Sequence, residues 1–166
     1  MKPEPRAKKP KFTLARKDEA MADLVAQTDQ TTLAIWAIDC AGRVLYSFEE
    51  NYPDDPRPRG ALNICREWTT SGIFCMKVIR GASLAAHAAA RDAGSDTPAR
   101  SAARAAGQAV ATAHVPAHSM GAANYALQAV WRAAGPAGAD VAVEKERDWQ
   151  YRHLLALRGP EIPESR

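Results

Sequence analysis

The stretch from Ala82 to Ala134 limits most strongly what this chain can become. It reads ASLAAHAAARDAG, then SDTPARSAARAAGQAVATAHV, then PAHSMGAANYALQAVWRAAG, three alanine-rich segments parted by turn residues. Alanine has the highest helix propensity and little apolar area to bury. Three helices in series are therefore expected, packed close together rather than around large side chains. Three of the four histidines, His87, His114 and His118, fall within them.

The flanking sequence continues in the same helical register. Asp18 is placed to cap a short helix with Met21, Leu24 and Val25 on one side. Thr28 or Asp29 starts a long helix expected to reach Asn51, with Leu33, Trp36, Ala37, Cys40, Val44 and Phe48 as its apolar stripe. Ile35, Ile38 and Leu45 lie off that stripe, which implies neighbours on more than one side. Asp39 and Arg43 stand four apart in acid-first order, the arrangement that favours an ion pair along one helix.

Pro53, Pro56 and Pro58 end that helix in a charged turn, YPDDPRPRG, where Asp54 or Asp55 can cap the next helix. That helix carries Ala61, Ile64, Cys65 and Trp68 and closes at Ser71-Gly72, the glycine suited to a left-handed cap. A helix from Ile73 to Ala93 follows, threaded by Val78, Ile79, Ala82, Ala86 and Ala90, with Gly81 a point of close crossing or slight break. Ser95 or Asp96 then caps a helix buried along Ala99, Ala102, Ala103, Ala106, Val110 and Ala113. Another runs from Pro116 to Gly135 on Met120, Ala123, Leu127, Val130, Trp131 and Ala134. The last covers 139–157, with Val141, Lys145, Trp149, Ala156 and Leu157 near one another on its wheel, and Arg158-Gly159-Pro160 stops it. No segment alternates with a two-residue period over β-branched residues. The expected architecture is all-α: a single-domain bundle, or stacked helical hairpins, of about six to seven helices with an Ala-rich core.

The net charge of +3 is unevenly distributed. Residues 1–17 hold Lys2, Arg6, Lys8, Lys9, Lys11, Arg16 and Lys17 against Glu4 alone, about +6, which leaves about −3 for the rest. The expected organisation is a flexible basic tail over 1–17, one helical domain over 18–158 and a flexible end over 159–166. A nucleic-acid-binding domain carries its basic face within the fold, so contact with polyanions is expected only as weak contact through the tail. The N-terminus lacks the apolar segment of a signal peptide, and no stretch has the roughly 18 apolar residues of a membrane span. Cytoplasmic location is the expectation, with no membrane association. Cys40, Cys65 and Cys75 are odd in number and lack a Cys-x-x-Cys pair. Each sits in an apolar helical pattern and is expected to be a buried structural thiol.

Chemistry-bearing patterns are sparse. His114 and His118 stand four apart, a spacing zinc sites use on a helix, but Pro116 lies between them and no acid completes a His-Glu-x-x-His motif. Packed, hydrogen-bonded histidines are the better reading. A metal-dependent hydrolase using His87, His114 and His118 is the alternative that this spacing leaves open. No nucleophile elbow, P-loop or dinucleotide fingerprint is present. Asp39, Arg43, Glu50, Arg57 and Arg59 gather around one helix and its exit turn, either as ion pairs locking the turn or as a polar binding groove.

The segments DCAGRVLYSFEENYPDDPRPRGAL, REW, SLAAHAAARDAG and ARAAGQAVATAHVPAHSMGAANYALQA together resemble a bacterial family. It is the all-helical immunity-five-like family, grouped with the polymorphic-toxin immunity proteins. The resemblance covers about 31–157. The matching positions are Asp39, Cys40, Arg43, Asp54, Asp55, Arg57, Pro58, Arg59, Trp68, His87, Arg91, His114, His118, Gly121 and Tyr125. The chain departs from the pattern at TTSGIFCMKVIRG, where a more polar, acidic helix start is expected. The resemblance implies a non-enzymatic protein that neutralises a cognate toxin by occlusion, with no catalytic residues and no cofactor. Its candidate contact residues are Asp39, Arg43, Tyr52, Arg57, Arg59 and Trp68, aromatic and Arg anchors prominent among them. A helical adaptor or scaffold with a different partner is the other reading.

Overall fold

The computed structural model describes residues 11–13 and 18–160. Most of the basic tail expected over 1–17, and residues 161–166 of the expected flexible end, lie outside the described residues. Phe12, which falls within that tail, is described and packs against Trp131 with ring centroids 5.9 Å apart.

Among the described residues there are eight helices and no strand. They are α1 (Glu19–Ala26), α2 (Gln30–Val44), α3 (Tyr46–Glu49), α4 (Arg57–Ser71), α5 (Met76–Asp92), α6 (Pro98–Ala111), α7 (His118–Ala134) and α8 (Ala139–Arg158). The all-α class stands as expected, but the count exceeds six to seven. One reason is that the helix expected to run through Asn51 breaks at Leu45, giving the separate short α3.

Side-chain capping sets the starts of α1, α2 and α6. Asp18 accepts from the Met21 N–H at 3.0 Å, and Asp29 from the Thr32 N–H at 2.9 Å and the Thr32 hydroxyl at 2.7 Å. Gly72 closes α4 in the left-handed conformation (φ 69°) with its N–H on the Trp68 carbonyl. Of the two turn aspartates, Asp55 serves α4: it accepts from the Arg57 N–H at 3.1 Å. Two expected starts are corrected. Thr97, not Ser95 or Asp96, caps α6, accepting from the Arg100 N–H at 3.1 Å. The helix after Pro116 begins at His118, because residues 112–117 form a turn that takes the chain from α6 into α7.

Helix α6 is the centre. It contacts α2, α3, α4, α5 and α7, and Ala99, Ala102, Ala103, Ala105, Ala106, Ala109, Val110 and Ala111 are all buried. Small side chains are what allow one helix to be enclosed on so many sides. Helix α2 buries its whole expected stripe from Leu33 to Val44, and Ile38 and Leu45 as well. The end of α6 is closed from a distance: the Gln30 amide donates to the carbonyls of Thr112 and Ala113 at 2.9 and 3.0 Å. These carbonyls would otherwise be unpaired at a helix terminus.

Helix α8 differs most from its expected wheel. Val141, Lys145 and Ala156 face solvent, while Ala139, Val143, Glu146, Gln150 and Leu154 are buried. Two polar residues on the inner face hid that face from apolar periodicity. The Gln150 side-chain amide donates to the Ala123 carbonyl of α7 at 3.1 Å, and the Gln150 backbone carbonyl accepts from the Trp36 indole N–H at 2.9 Å. Gly81 marks neither a crossing nor a break. It lies exposed within unbroken α5, with nothing within 4 Å of where a Cβ would stand.

Candidate partner-binding surface

The six candidate contact residues fall into three places. Asp39 and Arg43 lie on α2 opposite α8 and do not pair with each other. Arg43 forks onto Glu146 at 2.8 and 3.0 Å, and its guanidinium carbon lies 3.9 Å from the Trp149 ring centroid. Trp149 stacks on His153 at 4.6 Å between centroids, and His153 Nε2 lies 2.7 Å from Asp39. The Glu146 hydrogen bonds, ahead of the opposing cost of burial, raise the Arg43 pKa above its ordinary value. Two residue pairs, each spaced by four, thus close into a polar clasp between α2 and α8. The pairing expected along α2 is overturned because α8 offers a nearly buried carboxylate and an aromatic face, a better counter-surface than a half-exposed neighbour.

Sequence reasoning missed the α8 half of this clasp. The matching signal was present: Trp149 and His153 stand four apart, as do Asp39 and Arg43, so each pair shares a helix face.

Tyr52, Arg57 and Arg59 sit at the Pro-rich turn. Arg57 binds Asp55 at 2.6 Å and Asp92 of α5 at 2.8 Å. Arg59 forks onto Glu49 of α3, both bonds 2.8 Å. Hydrogen bonds from these arginines hold the carboxyls of Asp55 and Glu49 below the usual range. Tyr52 stacks on buried Phe48 with centroids 5.0 Å apart. The turn is therefore tied to α3 and to the end of α5, with two half-exposed guanidinium groups fixed in place. Trp68 is eleven residues beyond Arg57, roughly 16 Å along α4, and packs against the buried cluster that includes Cys65, Ile79 and Ala86.

The histidines of the alanine run divide as well. His87 of α5 lies against Gly107 of α6, where a Cβ would come within 2.9 Å of its Nε2. Burial, and then the nearby Arg104, Arg91 and His118, lower its pKa, and its Nδ1 is buried with no hydrogen-bond partner. His118, at the start of α7, donates from Nδ1 to the Gln108 side-chain oxygen at 2.7 Å. Its ring centroid is 5.4 Å from that of exposed His114. Among the described residues no three His, Cys, Asp or Glu side chains gather as metal ligands would.

The cysteines separate by burial. Cys40 and Cys65 are buried, and desolvation pushes the Cys65 thiol up to about 12 and that of Cys40 well above its ordinary value. Cys75 is exposed, contrary to expectation, because it lies in the non-helical link before α5 rather than inside that helix.

These features define an all-helical protein whose polar side chains largely tie one helix to the next, with an ion-paired turn at the entry to α4. A family comparison places it: over residues 23–157 the chain matches the family described as Imm-5 like putative immunity protein, and it belongs to that family. Searches of the curated proteins and of the solved structures gave no match. No helix among the described residues is long and apolar enough to cross a membrane.

Proposed function

We propose that this protein binds a cognate toxin and neutralises it by covering its working surface, without catalysis and in the cytoplasm. Membership of the Imm-5 like family over residues 23–157 is the observation that carries this reading. We place the contact at the Pro-rich turn, on Tyr52, Arg57 and Arg59, with Trp68 further along α4 and Asp39 and Arg43 on α2 as flanking candidates. Arginine and tyrosine are favoured anchors in protein interfaces. Arg57 and Arg59 are already held by carboxylates and Tyr52 by a stacked ring, so little side-chain freedom is left to lose on binding.

The test is co-expression with any growth-arresting product encoded next to this gene, scoring growth. Wild-type protein should restore growth, and R57E/R59E should fail to, with at least a tenfold weaker complex and unchanged helicity. Full protection by R57E/R59E would remove the contact from the turn. Failure of the wild type to protect or to bind would remove the immunity reading itself.

A further inference from the structure

Of the nine large hydrophobic side chains that are exposed among the described residues, five lie between Ile73 and Leu84, in the link between α4 and α5 and the first turns of α5. From Thr70 to Val78 every residue is exposed. Ile73 is 77% exposed, Phe74 46%, Met76 48% and Val78 49%, and Leu84 two turns into α5 is 58% exposed. Together these side chains offer about 500 Å² to solvent, at the upper end of what a monomer leaves uncovered. Nothing local requires this, since a polar link would join the two helices equally well.

We propose that this elbow is the interface of a two-fold dimer of the chain. Three observations point to a second copy. The first is the backbone of residues 72–75, which is not helical. Among the described residues the N–H groups of Phe74 and Cys75 and the carbonyls of Ile73 and Phe74 have no hydrogen-bond partner. Laid antiparallel on its own copy, this edge satisfies itself: the Phe74 N–H reaches the Phe74 carbonyl of the second copy, and the reverse. The second is area. The apolar patch supplies much of the roughly 800 Å² per partner that a stable interface uses, and the polar rim can supply the remainder. The third is the rim, where exposed Lys77 and Arg80 lie at the start of α5 and exposed Arg66 and Glu67 in the last turns of α4. Crossing the start of α5 over the end of the second copy's α4 sets Lys77 or Arg80 against Glu67. Exposed Cys75 then lies within about 10 Å of its counterpart, given strand spacings of this kind.

The test uses the full chain. Light scattering coupled to size exclusion should give twice the chain mass at micromolar concentrations. The variant I73E/M76E, whose changes touch only exposed side chains, should give the single-chain mass with unchanged helicity. A short bis-maleimide should join two wild-type chains through Cys75, and this product should vanish in C75S, which stays dimeric. A single-chain mass for the wild type overturns the proposal. So does a dimer that survives I73E/M76E with its cross-linking undiminished.

Discussion

The His87 ring and the Gly107 backbone are packed so closely that a methyl group on Gly107 would stand 2.9 Å from Nε2 and 3.0 Å from two ring carbons. A histidine on α5 has therefore set the residue type allowed two helix turns into α6. The same relationship recurs one helix further on, where a Cβ on Gly121 of α7 would come within 2.6 Å of the Gln108 oxygen. Both glycines make room for a side chain.

That geometry predicts a change of sign. Glycine within a helix costs about 1 kcal/mol against alanine when nothing else intervenes. In the wild-type background Gly107→Ala should destabilise by about 1–2 kcal/mol, because the His87 ring must be displaced from a packed site. In a His87→Ala background the same change should stabilise. Urea denaturation of the four proteins measures the cycle, and an equal effect of Gly107→Ala in both backgrounds would contradict the contact.

Burial lowers the pKa of His87, and burial followed by His114 lowers that of His118. Both are then more easily protonated in the unfolded chain than in the fold, so the unfolded state binds more protons. Their contribution is fully present above the unfolded value near 6.5 and falls as pH drops from there through the folded values. Asp29, Glu49 and Asp55 are lowered carboxyls and begin to act only below about pH 4.5. The urea midpoint should therefore fall between pH 7.5 and 5, and H87N/H118N should flatten that fall.

Arg43 faces nearly buried Glu146 and the Trp149 ring. Arg43→Ala should cost about 1–3 kcal/mol, much of it from leaving that carboxylate without its partner. Glu146→Gln added to it should recover part of the loss. A double-mutant cycle by thermal or urea unfolding gives the coupling, and additive losses would show that the two groups act independently.

Trp36 and Gln150 connect three helices through two buried hydrogen bonds. Trp36→Phe removes the indole donor to the Gln150 backbone carbonyl and leaves a gap beside it, for an expected loss of about 1–3 kcal/mol. Gln150→Leu should cost about 1–3 kcal/mol by removing the buried hydrogen bond that joins α8 to α7. Chemical denaturation measures both, and losses under about 0.5 kcal/mol would remove the three-helix connection.

Much of the fold could be read from the chain because its signals act within four residues. Asp18 and Asp29 start helices by bonding N–H groups three positions on, and Gly72 ends one through its own backbone angle. The α2 stripe is continuous enough to announce its buried face. The candidate contact residues were named from sequence, but their surroundings were not readable there. Nothing local distinguishes an Arg43 that pairs with Asp39 from one that crosses to α8.

The sequence by itself determined an all-helical chain, the approximate course of its helices and the family to which it belongs, since propensity, capping and motif order are properties of neighbouring residues. Tertiary structure decided which faces were covered. It enclosed α6 almost completely, turned Glu146 and Gln150 inward on α8, brought His153 to Asp39, and left Ile73, Phe74, Cys75 and Val78 in solvent. The physical reason is that burial and long-range pairing depend on which helix lies opposite. In an alanine-rich bundle, where close approach replaces bulky side chains, the sequence marks that neighbour only faintly.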